Sequence, residues 1–316
     1  MNNIEEPYIG VRFWGVRGST PCADAGCMEY GGNTTCMQIK LPGSEELLIL
    51  DSGTGIRELG NEVMGGKRRL RGRLFITHPH WDHIQGFPFF KPFYNDRNTF
   101  SIHMPMQASG PCRGILSGHM MDTYFPVTPE MLRADMSYIT QDPREQTYGN
   151  YSVSFMSANH HTNTAIYKIK ISGRVIVFAP DNEIQPVDER KMPEFHESLA
   201  RFIKGADLLI HDGQYCMEAY PARRNWGHTA WEVAAEFAAR AKVKSLFLTH
   251  HDPDSSDAYL DSVEEELQER WGKVFDLVGL AREGVTVQFD VGQTPGKLIR
   301  EADKKEGSQP SSLAGA

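Results

Sequence analysis

Short runs of alternating or continuously apolar residues recur along the chain and dominate its first half. Alternation is typical of half-buried β-strands, and short continuous apolar runs are typical of fully buried ones. The runs predict strands over Tyr8–Trp14, Cys36–Leu41, Glu46–Asp51, Arg73–Thr77, Tyr151–Met156, Ala165–Ile171, Val175–Ala179, Leu208–His211, Ser245–Thr249 and Val285–Asp290.

Apolar residues at helical spacing gather later in the chain. They predict helices over Gly55–Met64, Pro193–Lys204, Thr229–Ala241 and Ala258–Trp271. Strands concentrated early and helices late favour an α/β arrangement in which sheets pack together and helices cover their outer faces.

Residues 84–150 depart from this pattern, because they are rich in Pro, Phe, Met and Gly and only weakly periodic. A segment this long is usually a functional lid or an element that packs on a partner. Six methionines lie between Met104 and Met136. Such adaptable side chains suit a subunit contact and predict a homodimer, although filling of the core is an equally good explanation. The small polar residues 302–316 predict a flexible tail after a single domain over 1–301.

Composition narrows the class of protein. The 33 Lys and Arg against 41 Asp and Glu give a net charge of −8, which argues against an extended nucleic-acid surface. The sequence shows neither an apolar run long enough for a membrane span nor a secretory leader. Five scattered cysteines do not form a disulfide framework, so we expect a cytoplasmic location. Cys22 and Cys27 leave an accessory metal or redox site open, with ordinary loop thiols the simpler explanation.

The densest chemical signal is the run THPHWDH, which directly follows the apolar run RLFI. His78, His80, Asp82 and His83 fall within six residues, and imidazole and carboxylate are borderline metal ligands. Isolated histidines are usually structural, but this density at the end of a strand predicts a metal site.

Further donors stand after other predicted strands. His160 and His161 follow YSVSFMSAN, Asp181 follows VIVFAP, and His250 and His251 follow SLFLT. Each alone is explained as a surface or loop residue. Together they predict an active site along one edge of a sheet.

These motifs resemble those of the metallo-β-lactamase fold of metallohydrolases. THPHWDH matches the H-x-H-x-D-H signature of that superfamily, and the resemblance extends from about Gly10 to Asp290. FWGVRGSTP, YGGNTTC, LILDSGTGIRELG, NHHTNTAIYKI, FAPDNE and LFLTHHDP are similar to the phosphodiesterase branch, which includes ribonuclease Z and small cyclic-phosphate diesterases. The resemblance implies a four-layer αβ/βα sandwich of two mixed β-sheets with helices on the outer faces.

The resemblance also implies roles for individual residues. His78, His80 and His160 would hold one divalent ion, Asp82, His83 and His250 would hold a second, and Asp181 would bridge them. His160 is preferred to His161 because Tyr167 fits the branch's spacing, and His250 is preferred to His251 because it directly follows LFLT. The donor set favours Zn²⁺, with Mn²⁺ or Fe²⁺ as further occupants.

A second pair completes the expected site. Asp212 in IHDGQY and His228 in WGHTAWE match an acid and a histidine that act together in the family. An acid that orients an imidazole suits protonation of a leaving alkoxide. The catalytic residues are therefore expected to be His228, Asp212 and Asp82, with a hydroxide between the two ions as nucleophile. The alternative is that His228 only precedes a helix capped by Thr229.

Spacing separates this chain from several relatives. Asp181 follows His160 by 21 residues, whereas bacterial ribonuclease Z inserts a tRNA-clamping arm there. His250 follows Asp181 by 69 residues, which leaves no room for the extra domain of the branch that processes mRNA ends. The expected activity is hydrolysis of a small phosphodiester, most simply a cyclic nucleotide. A nuclease for RNA or DNA ends, a thioester, lactone or lactam hydrolase, and a non-enzymatic sensor remain alternatives.

Overall fold

The computed structural model describes residues 8–66, 69–186, 193–291 and 296–299. Fifteen strands are found in these ranges: β1 Tyr8–Gly15, β2 Cys36–Lys40, β3 Leu47–Leu50, β4 Arg71–Phe75, β5 Thr99–Met104, β6 Asp135–Thr140, β7 Gln146–Tyr148, β8 Tyr151–Ser157, β9 Ala165–Ile171, β10 Arg174–Ala179, β11 Leu208–Asp212, β12 Ser245–Thr249, β13 Leu277–Leu280, β14 Thr286–Asp290 and β15 Lys297–Ile299. The helices there are α1 Ile56–Val63, α2 Trp81–Ile84, α3 Cys112–His119, α4 Glu194–Ile203, α5 Trp231–Arg240 and α6 Asp257–Trp271.

The strands form two mixed sheets. The first has the order β15-β14-β1-β2-β3-β4-β5-β6, and the second has the order β13-β12-β11-β10-β9-β8-β7. Strands β3 to β6 pair in parallel in the first sheet, and β10 to β13 pair in parallel in the second. Parallel neighbours end at the same edge, so the loops after β4, β10, β11 and β12 can contribute side chains to one site.

Three apolar clusters account for the layers. Residues such as Val11, Ile39 and Ile169 fill the space between the sheets. A second cluster packs α4, α5 and α6 against the outer face of the second sheet, and a third packs α1 and α3 against the first. Helices therefore cover both outer faces, and the expected four-layer α/β sandwich is confirmed. None of the helices in the described ranges combines the length and apolar character needed to cross a bilayer.

The segment 84–150 holds more regular structure than its weak periodicity indicated. Strands β5 and β6 extend the first sheet, β7 forms the end of the second, and α3 packs beneath β5 and β6. Met104 and Met120 are buried, as expected of residues that fill the core. Met106, Met121 and Met131 are about half exposed, as expected of residues at a subunit contact. A lid role and a homodimer stay predictions.

Some boundaries and caps differ from expectation. Strand β4 ends at Phe75, two residues before the predicted end, because the Thr77 amide and hydroxyl leave the sheet to bind Asp51. Thr229 does not cap α5; its hydroxyl donates to the Asn182 carbonyl, and Ala230 precedes the helix. The predicted tail, 302–316, lies outside the described residues.

Candidate metal centre and active site

Loops at one edge of the two sheets bring the predicted donors together. The turn after β4 supplies His78 and His80 and leads into the short helix α2, which carries Asp82 and His83. His160 follows β8, Asp181 follows β10 and His250 follows β12. The sequence separates these residues widely, and the parallel pairing of the strands reunites them.

The donors form two groups that share one carboxylate. His78, His80, His160 and Asp181 form the first, and Asp82, His83, Asp181 and His250 form the second. Within each group the potential ligand atoms all lie within 4.8 Å of one another. Asp181 belongs to both groups, as expected of a bridging ligand.

Unpartnered buried atoms show that these residues fit metal ions. His78 Nε2, His83 Nε2 and Asp181 Oδ1 are buried, and none of them meets a partner in hydrogen-bond geometry. A buried polar atom without a partner is costly and is found where a ligand, water or ion belongs. His83 Nε2 lies 2.9 Å from Asp181 Oδ1, so these two atoms converge on one point. Because imidazole and carboxylate are the ligands that Zn²⁺ and similar ions prefer, the site is suited to divalent metals.

Neighbouring groups orient the imidazoles through their Nδ1 atoms. His83 Nδ1 donates to the Asp51 carboxylate over 2.8 Å, and His160 Nδ1 donates to the Gly227 carbonyl over 3.1 Å. His78 Nδ1 lies 3.0 Å from the Thr77 hydroxyl, which itself donates to Asp51. When Nδ1 carries the proton, the Nε2 lone pair is free for a metal ion.

The electrostatics of the first group favour neutral imidazoles. Burial lowers the pKa of His78 well below its ordinary value, lowers the pKa of His80, and lowers the pKa of His160 to about 4. Metal ligation requires the unprotonated form. These three side chains are therefore in the state that binds an ion at neutral pH.

The second group carries buried negative charge that a cation would balance. Burial opposes ionisation of Asp82 and Asp181, yet neighbouring histidines hold the pKa of both carboxyls well below the usual value. Burial likewise opposes a charged His83, but Asp181, Asp82 and Asp51 together raise its pKa. These buried carboxylates carry negative charge that favours protonation of the neighbouring imidazole. A bound divalent cation would neutralise that charge.

His228 and Asp212 form a pair beside these groups. His228 Nδ1 lies 2.7 Å from Asp212 Oδ2, and the His228 ring stacks on His250 with centroids 4.8 Å apart. Burial lowers the pKa of His228, but the Asp212 carboxylate, with smaller contributions from Asp181 and Asp82, outweighs burial and raises that pKa to about 9. Asp212 Oδ1 accepts from the backbone amides of Gln214 and Thr229, so the carboxylate is fixed in place.

The close pairs of histidines are distinguished by their surroundings. His160 lies in the first group, whereas His161 is exposed. His250 lies in the second group, whereas the buried His251 bonds through Nε2 to the Ala281 carbonyl. His250 adopts a left-handed backbone with φ 63°, which turns adjacent side chains in different directions.

Several supporting residues were not predicted from the sequence. Asp51, with φ 58°, binds both Thr77 and His83. Glu183 accepts from the backbone amides of Asn225 and Gly227 and so holds the loop that precedes His228. A single buried carboxylate after a strand gives no local signal of such a role.

Backbone segments also pack closely against the side chains of the site. A Cβ at Gly18 would lie 2.2 Å from His250 Nδ1, and a Cβ at Gly227, where φ is +89°, would lie 2.2 Å from His160 Nδ1. The amide of Ser19 donates to Asp82 Oδ2 over 2.8 Å. Glycine at the first two positions is therefore required by close contact with expected ligands.

An open cavity of about 460 Å³ lies over these residues. It is lined by Ser19, Pro79, His80, Trp81, Asp82, Asp181, His228 and His250. The cavity exposes members of both groups together with His228, so one bound substrate can reach all of them.

Comparison with known proteins identifies the family. Residues 70–251 match the beta-lactamase superfamily domain. The ribonuclease Z of Thermoplasma acidophilum is 31% identical, with 83% of this chain and 93% of that protein covered. The ribonuclease Z of Brevibacillus brevis is 32% identical over 109 residues, a match that spans only 31% of its length. The metallo-beta-lactamase fold protein YhfI of Bacillus subtilis superposes with a TM-score of 0.64 at 18% identity, covering 89% of this chain and all of that one.

The domain match covers more than half of the chain and contains the THPHWDH run, Asp181 and His250. The ribonuclease Z relative extends the likeness over most of both proteins. The chain therefore belongs to the beta-lactamase superfamily, as a ribonuclease Z-like, metal-dependent hydrolase of phosphodiester bonds.

Proposed function

We propose that this hydrolase acts on a small phosphodiester, most simply a cyclic nucleotide, with His228 as the group that protonates the leaving oxygen. The observation that carries the proposal is the 2.7 Å contact between His228 and Asp212 beside the two donor groups. Hydrolysis of a thioester or an activated lactam has less need of such a proton donor, whereas a sugar or alkyl oxygen is a poor leaving group without one.

Seven residues would hold the ions: His78, His80 and His160 for one, Asp82, His83 and His250 for the other, and Asp181 for both. When bound, two divalent cations supply Lewis acidity and lower the pKa of water, and Zn²⁺ suits this donor set best. Asp51 and Thr77 orient the imidazoles from behind. The Ser19 amide fixes Asp82, which we count with the catalytic residues because it faces the cavity.

His228 would then act on the leaving oxygen. The Asp212 carboxylate stabilises the protonated imidazole, which holds its proton at neutral pH. Since Nδ1 faces Asp212, the proton delivered to substrate is the one on Nε2. After transfer, the neutral imidazole keeps its hydrogen bond to Asp212, so the geometry is retained for the next cycle.

The compact interval between His160 and Asp181 supports a small substrate. Strands β9 and β10 are joined by a tight turn at Ser172 and Gly173, both with positive φ, and their register pairs Ile171 with Arg174. This hairpin occupies the position where bacterial ribonuclease Z carries its tRNA-clamping arm. The net charge of −8 also provides little long-range attraction for a polynucleotide.

RNA is the second candidate substrate, because the similar curated proteins are ribonucleases Z. The same donor groups and the same His228 would serve cleavage at the end of an RNA. Binding of an RNA would depend on contacts to several phosphates, and turnover would fall steeply with added salt.

A substrate panel separates these possibilities. Purified protein, with its metal content measured, is assayed on cAMP, cGMP, a bis-aryl phosphate, a precursor tRNA with a trailer and an acyl thioester. We expect turnover of the cyclic nucleotides and the bis-aryl ester with weak salt dependence. Cleavage of only the tRNA would favour the nuclease. Turnover of only the thioester would refute the phosphodiesterase assignment, and no turnover at all would favour a sensor.

Paired variants test the division of roles. His80→Ala is expected to lose bound metal and turnover together while the protein stays folded. His228→Ala is expected to keep its metal and lose rate on substrates with poor leaving groups. Identical behaviour of the two variants would show that the roles are assigned wrongly.

A further inference from the structure

An apolar groove adjoins the metal-site cavity. It encloses about 590 Å³ between α2, the turn at Phe87–Phe89, α3 and the turn that follows α3. Its lining is mostly apolar or aromatic and includes Pro79, Trp81, Phe89, His119, Tyr124 and Phe125. A volume of this size falls within the range of small-molecule sites.

The groove and the metal-site cavity share a wall. Pro79 and Trp81 line both spaces, and Trp81 stands in the chain between the expected ligands His80 and Asp82. The Trp81 side chain is 75% exposed, so its indole is free to contact a ligand that extends from one space into the other. A substrate held over the donor groups can therefore place one of its arms in the groove.

Aromatic side chains are unusually exposed along the groove. Tyr124 is 78% exposed and Phe89 is 48% exposed. The ring of Phe89 meets that of Phe125 edge to face, with centroids 5.3 Å apart, which fixes the orientation of Phe89. Exposed, oriented rings provide the surfaces on which a planar ligand stacks.

The groove lacks the charge that a phosphate backbone would require. Among the described residues that line it there is no Asp, Glu, Lys or Arg. Burial lowers the pKa of His119, so this side chain is neutral at neutral pH. An uncharged aromatic group fits such a lining, and a run of further phosphates does not.

We propose that this groove binds a planar aromatic group, a nucleobase or an aryl ring, on the ester arm of the phosphodiester that is retained after cleavage. The leaving oxygen must lie at His228, which lines the metal-site cavity but is not among the groove's lining residues. The group that enters the groove is therefore attached through the retained ester, and in a cyclic nucleotide, whose two ester oxygens belong to one sugar, that group is the base. This inference rests on the proposed phosphodiesterase activity and adds a substrate class to it.

The test uses two substrates with the same leaving group. Phenyl p-nitrophenyl phosphate and methyl p-nitrophenyl phosphate both release p-nitrophenolate and differ only in the retained arm. The ratio of their kcat/KM values is measured for the wild type, for Tyr124→Ala and Phe89→Ala, and for Met121→Ala as a matched control. Met121 is half exposed in the same turn as Tyr124 but does not line the groove.

The groove variants are expected to lower the phenyl-to-methyl ratio roughly tenfold to a hundredfold, mainly through KM for the phenyl ester, since stacking on one aromatic side chain has this magnitude. Met121→Ala is expected to leave the ratio unchanged. The p-nitrophenyl ester of thymidine monophosphate should behave like the phenyl ester. Tyr124 is largely exposed, so its replacement does not endanger folding.

Other outcomes would overturn the inference. An unchanged ratio in both groove variants, with both esters hydrolysed, would refute the subsite and leave the phosphodiesterase intact. Equal losses on both esters would place the leaving arm in the groove. If Tyr124→Ala instead dissociated a dimer in analytical ultracentrifugation without changing the ratio, the occupant would be a second copy of the chain. Failure to hydrolyse either ester would refute the proposed function itself.

Discussion

Replacing Asp212 by Asn tests the proton donor most sharply. The Asp212 carboxylate contacts His228 over 2.7 Å and raises its pKa to about 9. Asn is nearly the same size, and its amide oxygen can still accept from the Gln214 and Thr229 amides. The substitution therefore removes charge with little change in packing. Burial would then be opposed only by the smaller effects of Asp181 and Asp82, so the pKa of His228 should fall towards its ordinary value of 6.5.

The size of the effect follows from the protonated fraction of His228. At pH 8, a pKa of about 9 leaves about nine-tenths of the imidazole protonated, whereas a pKa of 6.5 leaves about three-hundredths. The rate on a substrate that needs the proton should fall about thirtyfold. This is less than the roughly 100- to 10,000-fold that general acid catalysis supplies in full, because a small protonated fraction remains. In the wild type, the raised pKa keeps His228 protonated at pH values well below 9. Activity that depends on this proton is lost as the pH rises through about 9.

The assay compares leaving groups. Methyl p-nitrophenyl phosphate releases a stable phenolate and should be hydrolysed by Asp212→Asn at nearly the wild-type rate, whereas a cyclic nucleotide releases a sugar oxygen and should be hydrolysed far more slowly. Asp207→Asn is a matched control, because Asp207 is a buried carboxylate just before β11 whose partners are Arg174 and Lys244. Its loss should lower stability without a leaving-group effect. Equal losses on both substrates in Asp212→Asn, with metal content unchanged, would show that His228 does not protonate the leaving oxygen.

Three further substitutions probe the support of the site. Gly227→Ala should lower metal occupancy to about one ion per chain, because its Cβ would lie 2.2 Å from His160 Nδ1; full occupancy by elemental analysis would contradict this. Asp51→Asn should weaken metal affinity about 10- to 100-fold in a chelator competition, since it disturbs the orientation of His83, and unchanged affinity would count against that role. Glu183→Gln should cost about 1–3 kcal/mol in denaturant unfolding, because an amide nitrogen would face backbone donors that the carboxylate now accepts; wild-type stability would show those bonds to be unimportant.

The donor positions were predicted from the sequence because they lie in the dense run after β4 or within a few residues of the end of another apolar strand. The run from His78 to His83 is dense enough to stand out without any knowledge of the fold. Asp181 and His250 indicate a metal site only when they are considered together with the other donors, since either one alone is an ordinary loop residue. The resemblance to known motifs supplied the pairing of Asp212 with His228, which lie 16 residues apart.

The supporting residues could not be predicted because their roles depend on tertiary contacts. Asp51 reaches His83 across the parallel pairing of β3 with β4, and no local pattern marks that approach. Gly18 is needed only because His250 packs against it. Strand β6 was missed because none of its residues from Asp135 to Thr140 is fully buried, so its alternation is only between exposed and partly exposed positions, as expected at the edge of a sheet.

Catalysis by a bimetallic centre is tested by measuring the metal content of the purified protein together with its phosphodiester turnover. We expect two divalent ions per chain, loss of turnover of a bis-aryl phosphate when a chelator removes them, and recovery on adding Zn²⁺. Full turnover by protein that carries no bound transition ion would contradict this expectation.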